Sequence, residues 1–338
     1  MRIGIASHSP GTIAALRQAL ALRPAHQIAW VAPDGAHAVA ACARDTPDLL
    51  LMDLSVPGID GVEATRRITA ATPCAIVIVT ASVSANTSRV FDAMGHGAVD
   101  AVDIPLLTPS DPKTGAAPFL QKIDTLSKLV GTRRFIPSPE MFGDTWVIGR
   151  RERLVAIGAS AGGPAAVARV LEALPRSFPA AVVIVQHVDE RFAPGMAEWL
   201  SRGSPMPVRV AKEGERPMAG TALLSGTNDH LVLKSADRLG YEREPKDHAY
   251  RPSVDVFFES VSAKWTGEVV GVLLTGMGRD GAKGLKALRN KGYYTIAQDE
   301  ATSAVYGMPK AAVTLGAAVD VLPLERIAPR LIDTFSHV

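Results

Sequence analysis

The chain is organised by an alternation that runs, stops and starts again. From residue 2 to about residue 130, short β-branched apolar runs alternate with segments of helical periodicity. Residues 2–6, 27–32, 48–53, 75–80 and 98–102 read as strands, and 12–22, 36–44, 61–70, 87–94 and 119–130 as helices. Each helix must carry the chain back across a face of the sheet, so strict βα alternation implies parallel strands with helices on both faces. Between 131 and 149 the period is lost among Pro137, Pro139 and glycines. That stretch reads as a linker, partly packed, because Phe135, Met141, Phe142 and Trp146 are too apolar for a purely solvated tether. The pattern resumes at Arg153. Strands are expected at 154–157, 181–186, 269–274, 293–297 and 319–322, helices at 164–171, 194–200, 254–264, 283–291 and 323–335, and short strands and turns over 208–243. The expected class is α/β, as a domain over 1–130, a linker over 131–150 and a second domain over 151–338.

Composition agrees and excludes several function classes. At 338 residues the chain is too long for one ordinary core, and 47% hydrophobic residues supply enough for two. A net charge of +2 with scattered basic residues gives no footprint for nucleic acid. No apolar run reaches the roughly 18 residues that span a bilayer, so membrane insertion is not expected. MRIGIASHS reads as a first strand rather than a signal peptide. Cys42 and Cys74 make neither a disulfide framework nor a metal pattern, and two cysteines fit a reducing cytoplasm.

The sharpest local signal is Gly158-Ala159-Ser160-Ala161-Gly162-Gly163-Pro164, a Gly-x-Ser-x-Gly turn between an apolar strand and a helix. Such a turn projects the serine hydroxyl beyond the sheet edge, and donors at the helix start face a developing oxyanion. By itself the motif leaves two readings open, an esterase nucleophile and a glycine-rich phosphate loop. A serine needs a base, and the base an orienting group. His187 in VQHV and Asp280 in TGMGRDG each follow a predicted strand. Strand C-termini of an open α/β sheet share one rim, where ligands bind, so Ser160, His187 and Asp280 are expected to converge there.

In chain order, GASAGGP, VQHV, RPSVDVFF, TGMGRDG and TIAQDEATSAVYGMPKAA resemble the catalytic domain of the CheB family, the chemotaxis protein-glutamate methylesterases. The resemblance implies a Rossmann-like, doubly wound domain with Ser160 as nucleophile, His187 as general base and then acid, and Asp280 as its orienter. It implies an oxyanion hole from the backbone N–H of Met277, with the N–H of Ala161 as second donor. The implied substrates are the cytoplasmic helices of methyl-accepting chemoreceptors. The implied reaction is hydrolysis of glutamate γ-methyl esters, with deamidation of certain glutamines by the same route and no cofactor for catalysis. A histidine base makes activity fall at low pH. Elsewhere in this half, His230 and His248 are expected at the surface or in loops. Arg251 and residues 298–306 are expected to border the substrate cleft, and Asp255 to be a structural hydrogen-bonding partner.

The first half resembles a response-regulator receiver, which implies a flavodoxin-like (βα)5 fold. Asp53, before Pro57-Gly58-Ile59-Asp60-Gly61, matches the phosphoacceptor and Thr80 the switch residue. Two positions depart from the family. Ser7 and His8 stand where the acidic pair would hold Mg²⁺, and Ile104, beside Asp103, stands where a lysine precedes the proline. With Asp53 as the remaining carboxylate, Mg²⁺ affinity should be weak. The expectation is a degenerate receiver that works by docking or constitutive gating, with a chemotaxis histidine kinase as a candidate partner. VEATRRI, ATPCAIVIVT and VFDAMGHGAVDAV resemble the methylesterase of the Wsp-type chemosensory system, which adjusts a surface-sensing diguanylate cyclase pathway. Two competing readings are a catalytically silent scaffold docked on receptors or kinase, and a nucleotide-binding domain. The Ser160, His187 and Asp280 set argues against the first. The lack of a Gly-Lys-Ser/Thr ending argues against the second.

Overall fold

The structure is a computed structural model that describes residues 1–72, 74–107, 112–127, 152–246, 248 and 250–336. The expected linker over 131–150, with its apolar side chains, lies outside the described residues. The chain divides into two units, Met1–Arg133 and Arg134–Val338.

In the first unit, β1 (Arg2–Ala6), β2 (Gln27–Ala32), β3 (Leu49–Asp53), β4 (Ala75–Thr80) and β5 (Asp100–Asp103) alternate with α1 (Pro10–Ala21), α2 (Gly35–Arg44), α3 (Gly61–Ala71), α4 (Thr87–Gly95) and α5 (Pro112–Ser127). The sheet order is β2-β1-β3-β4-β5, the expected flavodoxin-like order, with parallel pairing throughout. The central strand β3, LLLMD, is buried along its whole length, as a strand covered on both faces must be. Side chains of Ser9, Asp34 and Asp60 accept the N–H of Thr12, His37 and Glu63 and so start α1, α2 and α3.

Element ends shift from expectation by a few residues at several places, and two of the shifts have an identifiable cause. Helix α5 starts at Pro112, well before 119, because Pro118 reads as a breaker in sequence but is accommodated inside the helix. Strand β5 starts at Asp100, because Ala98 is still tied to Ala93 at the end of α4.

The second unit is built on a seven-stranded sheet, ordered β14-β13-β12-β6-β7-β9-β8 and parallel in every pairing. Its strands are β6 (Arg153–Ala159), β7 (Ala181–Gln186), β8 (Val208–Val210), β9 (Ala222–Leu224), β12 (Glu268–Leu273), β13 (Tyr294–Gln298) and β14 (Asp320–Leu322). A separate antiparallel pair, β10 (His230–Ser235) and β11 (Arg238–Glu242), packs against α8 (Val254–Lys264). The remaining helices are α6 (Gly163–Ala173), α7 (Ala193–Gly203), α9 (Ala282–Asn290), α10 (Met308–Thr314) and α11 (Leu324–Ser336). Helix α10 was not expected. It is one short apolar-faced segment opened by Pro309, too brief to show a helical period.

The topology positions the site. From β6 the chain proceeds to β7 on one side, and it later enters β12 on the other side of β6. The winding direction therefore switches at β6, and a crevice forms beyond the C-terminal ends of β6, β7 and β12. Phe257, Phe258 and Val261 of α8 join Leu154, Val183 and Leu273 of the sheet in one buried core, which fixes α8 beneath that crevice.

Candidate active site

Ser160 is the first residue beyond β6, and neighbours on both sides hold it by its own backbone groups. Its N–H donates to the Thr275 carbonyl at 3.1 Å, while Gly163 N–H at 2.8 Å and Gln186 Nε2 at 2.8 Å donate to its own carbonyl. The bond from Gly163 closes a turn whose third residue, Gly162, has φ +72°. A Cβ at that φ is strained, and it would also come 2.5 Å from the Ala304 Cβ. On the other side a Cβ on Gly276 would lie 2.8 Å from the Ser160 Cβ. The TGMGRDG loop thus packs directly on the serine because Gly276 has no side chain.

His187 is the first residue beyond β7, with its N–H on the Ala159 carbonyl at 3.1 Å. The imidazole is only 9% exposed, and Nε2 stands 2.7 Å from Asp280 Oδ2. Asp280 in turn is buried at the N-terminus of α8. Its Oδ1 accepts the Ser253 hydroxyl at 2.8 Å and the Asp255 N–H at 3.1 Å, and its Oδ2 also accepts the Val254 N–H at 2.7 Å. Burial works against the charge, but the hydrogen bond and charge of His187 and the two backbone N–H groups outweigh it and hold the carboxyl at about 2. An ionised carboxylate only accepts, so in the neutral imidazole the proton sits on Nε2 and the lone pair on Nδ1. Nδ1 is buried and has no hydrogen-bond partner among the described residues.

Met277 and Ala161 border the serine from the two loops, Met277 in the segment after β12 and Ala161 one residue beyond Ser160. The Ala161 carbonyl accepts the Thr275 hydroxyl at 3.0 Å, so the two loops are joined to each other.

The weaker expectations do not all hold. His230 is not a surface residue. It lies fully buried on β10, donates from Nε2 to the Pro245 carbonyl at 3.0 Å and accepts the Ser253 N–H on Nδ1 at 3.0 Å. An apolar strand flanks it, and its two ring nitrogens match one acceptor and one donor, so burial costs little. His248 is half-buried and its ring meets that of His230 edge-on at 5.9 Å. Arg251 pairs with Asp229 at 2.9 Å. Gln298 is buried and faces inward, where its Oε1 accepts the Thr275 N–H at 2.8 Å. The 298–306 segment therefore braces the Thr275–Gly276 backbone, to which Val305 also bonds. Asp255 is the structural partner expected, accepting the Gly284 N–H of α9 at 2.7 Å; burial pushes its carboxyl up to about 6.

Sequence reasoning missed three supporting side chains. Ser253 carries a visible signal, a serine just before a helix, which is the N-cap pattern. Gln186 lies inside VQHV but gives no sign that its amide reaches the Ser160 carbonyl. Tyr250 stacks on the His187 ring, centroids 4.4 Å apart and planes 4° from parallel, a contact made only by the tertiary fold.

In the first unit Asp53 ends β3 and is buried. Its Oδ2 accepts the Ser7 hydroxyl at 2.8 Å and its Oδ1 the Ser55 N–H at 2.9 Å. His8 is exposed. Thr80 is buried and accepts from Asn86 Nδ2 at 3.0 Å, and Asp103 accepts the Val83 N–H at 2.7 Å. Among the described residues no three His, Cys, Asp or Glu side chains gather as a metal site. No described helix is long and apolar enough to cross a membrane.

Residues 155–331 match the family described as CheB methylesterase, and residues 3–107 match the response regulator receiver domain. The chain is 61% identical over 334 residues to protein-glutamate methylesterase/protein-glutamine glutaminase 2 of Cupriavidus metallidurans, covering 99% of this chain and 98% of that one. It is 58% identical over 341 residues to the protein of the same name from Pseudomonas syringae, covering 100% of both. The crystal structure of the CheB methylesterase catalytic domain of Thermotoga maritima aligns with a TM-score of 0.52 at 33% identity, covering 54% of this chain and 98% of that one.

Proposed function

The chain belongs to the CheB methylesterase family, and from that membership we infer that it is a serine ester hydrolase, a protein-glutamate methylesterase acting on chemoreceptors. Ser160 is the nucleophile, His187 the base and Asp280 its orienter. One observation carries this assignment. His187 is bound to Asp280 through Nε2, and its other nitrogen is buried without a hydrogen-bond partner among the described residues, on the rim where Ser160 leaves β6.

The reaction follows from that geometry. Ser160 Oγ attacks the γ-carbonyl carbon of a methylated glutamate as Nδ1 takes the hydroxyl proton. The oxyanion is held by the N–H groups of Met277 and Ala161. As the tetrahedral adduct collapses, the imidazolium returns its proton to the leaving methoxide, and methanol departs. Water then attacks the acyl-serine and gives a proton to Nδ1; as this second adduct collapses, the imidazolium passes that proton to Ser160 Oγ, freeing glutamate and restoring both serine and base. With a glutamine side chain the same steps expel ammonia, which agrees with the glutaminase activity in the relatives' names. The residues supply base, orienter and oxyanion donors themselves, so the scheme calls on no cofactor.

The substrate segments are the cytoplasmic helices of methyl-accepting receptors, and the enzyme works in the cytoplasm. The receiver acts by docking or constitutive gating, with the chemotaxis histidine kinase as its partner. Asp53 keeps the acceptor position, but one of its oxygens already holds the Ser7 hydroxyl, and neither Ser7 nor His8 brings a carboxylate. A hard dication asks for carboxylate oxygens, so this donor set does not fit Mg²⁺. The resemblance of VEATRRI, ATPCAIVIVT and VFDAMGHGAVDAV supports a place in a Wsp-type pathway.

The test is methanol release from a receptor cytoplasmic fragment carrying methylated glutamates. Release by the full-length protein, with matching loss of methyl groups from receptor glutamates, supports the reading. A methylated fragment left intact contradicts it.

A further inference from the structure

We propose that Tyr250 is a positioning residue for this reaction, its ring holding the His187 imidazole in the plane from which Nδ1 reaches the Ser160 hydroxyl. The inference deepens the reading of Ser160 and His187 given above and rests on it.

A histidine base needs two constraints. The bond from Nε2 to Asp280 at 2.7 Å fixes one edge of the ring, but it leaves rotation about that edge free. A flat surface against the imidazole removes this freedom. Tyr250 supplies one, with ring centroids 4.4 Å apart and planes 4° from parallel. The stack also covers one face of the ring, in keeping with an imidazole only 9% exposed. In both halves of the reaction His187 becomes an imidazolium, and a cation against an aromatic face is stabilised relative to the neutral ring. Tyr250 therefore favours the protonated base that each transition state forms, as well as its orientation.

The same side chain touches the second loop of the site. Gly278 has φ +79°, and a Cβ there would lie 2.9 Å from Tyr250 Oη. The phenol thus rests against the backbone between Met277 and Asp280, which bear an oxyanion N–H and the orienting carboxylate. Tyr250 also lies three residues before Ser253, whose hydroxyl donates to Asp280. One short segment consequently sets both members of the His187–Asp280 pair, one by stacking and the other by hydrogen bonding. Burial first, and then the charge of Asp280, raise the Tyr250 phenol above its ordinary range, so the stacked ring is neutral.

The experiment compares full-length wild type, Tyr250→Phe, Tyr250→Leu and Ser160→Ala in methanol release from a methylated receptor fragment, with thermal melts on each. For Tyr250→Leu the expectation is a fall in kcat of about tenfold with KM little changed. Tyr250→Phe, which keeps the flat ring, is expected to restore kcat to within about threefold of wild type. NMR of histidine-labelled protein reads the stack itself. The His187 ring proton leaves its ring-current-shifted position in Tyr250→Leu and keeps it in Tyr250→Phe. Unchanged kcat in a folded Tyr250→Leu overturns the proposal. So does a loss carried by KM, which marks a substrate contact, or a loss in Tyr250→Phe equal to that in Tyr250→Leu, which marks the hydroxyl. If Tyr250→Leu does not fold, the Tyr250→Phe kinetics and His187 resonance decide alone. Methanol release that survives in Ser160→Ala overturns the underlying reading, and this inference with it. Wild-type release abolished in Ser160→Ala but unaltered in Tyr250→Leu overturns this inference only.

Discussion

His187 Nε2 and Asp280 Oδ2 stand 2.7 Å apart, and the nitrogen left for the serine is therefore Nδ1. The tautomer is set by the carboxylate, which accepts and does not donate. In Asp280→Asn the amide can present an N–H to Nε2, moving the ring proton to Nδ1, where it blocks the base. We expect kcat to fall about a thousandfold or more with the protein still folded. Steady-state methanol release checks it, and a fall of less than tenfold contradicts the orienting role.

Ser253 does two things at once. Its oxygen caps α8 by accepting the Val256 N–H at 3.3 Å, and its hydroxyl proton goes to Asp280 at 2.8 Å. Ser253→Ala removes both, which should cost about 1–3 kcal/mol of stability and lower kcat by less than Asp280→Asn does. Denaturant unfolding read beside kcat separates the two effects.

Asp255 gives a pH dependence of stability with a definite sign. Its carboxyl titrates at about 6 in the fold against an ordinary value of 3.8, chiefly because it is buried. Below about pH 4 the folded and unfolded chains both hold the proton, and above about pH 6 neither does. Between the two only the folded chain holds it, so this group's contribution falls as pH rises through that window. Asp255→Asn, whose amide oxygen can still accept from Gly284, should remove the fall and be more stable than wild type at pH 7 by about 2–3 kcal/mol. Asp280 acts with the opposite sign and at lower pH, because its carboxyl is held at about 2. Unfolding curves from pH 4 to 7 test the difference between wild type and variant.

The Asp53 pocket should respond poorly to a small-molecule acyl phosphate. We expect no Mg²⁺-dependent labelling of Asp53 in the wild type, and a gain of labelling when Ser7→Asp, His8→Asp and Ile104→Lys are combined. Intact-protein mass spectrometry checks both. Rapid stoichiometric labelling of the wild type contradicts the account of the receiver.

The parts of this molecule legible in its sequence are those in which one local rule decides. Apolar strands such as AVVIVQ and LLLMD are buried on both faces and show it as unbroken runs. Ser160 and His187 were placed by the strands they follow, because parallel strands end on one rim. What stayed hidden depends on contacts between distant segments. Tyr250 is an unremarkable loop aromatic until His187 comes beneath it, and Gln298, read as a cleft residue, turns inward to the Thr275 N–H. The burial of His230 escapes a sequence reading because a polar type is ordinarily exposed, and only the fold supplies a partner for each ring nitrogen. Helix α10 and the start of α5 were obscured by short length and by an interior proline.

The central claim is that one serine, at the turn after β6, does the chemistry. The most direct measurement is the initial rate of methanol release from a methylated receptor fragment by full-length wild type and by Ser160→Ala. Thermal melting should show the variant folded, since a serine of intermediate exposure loses only its hydroxyl. The expected result is steady release by the wild type and a loss of at least about a thousandfold in Ser160→Ala. Release by Ser160→Ala within about tenfold of wild type would contradict the account.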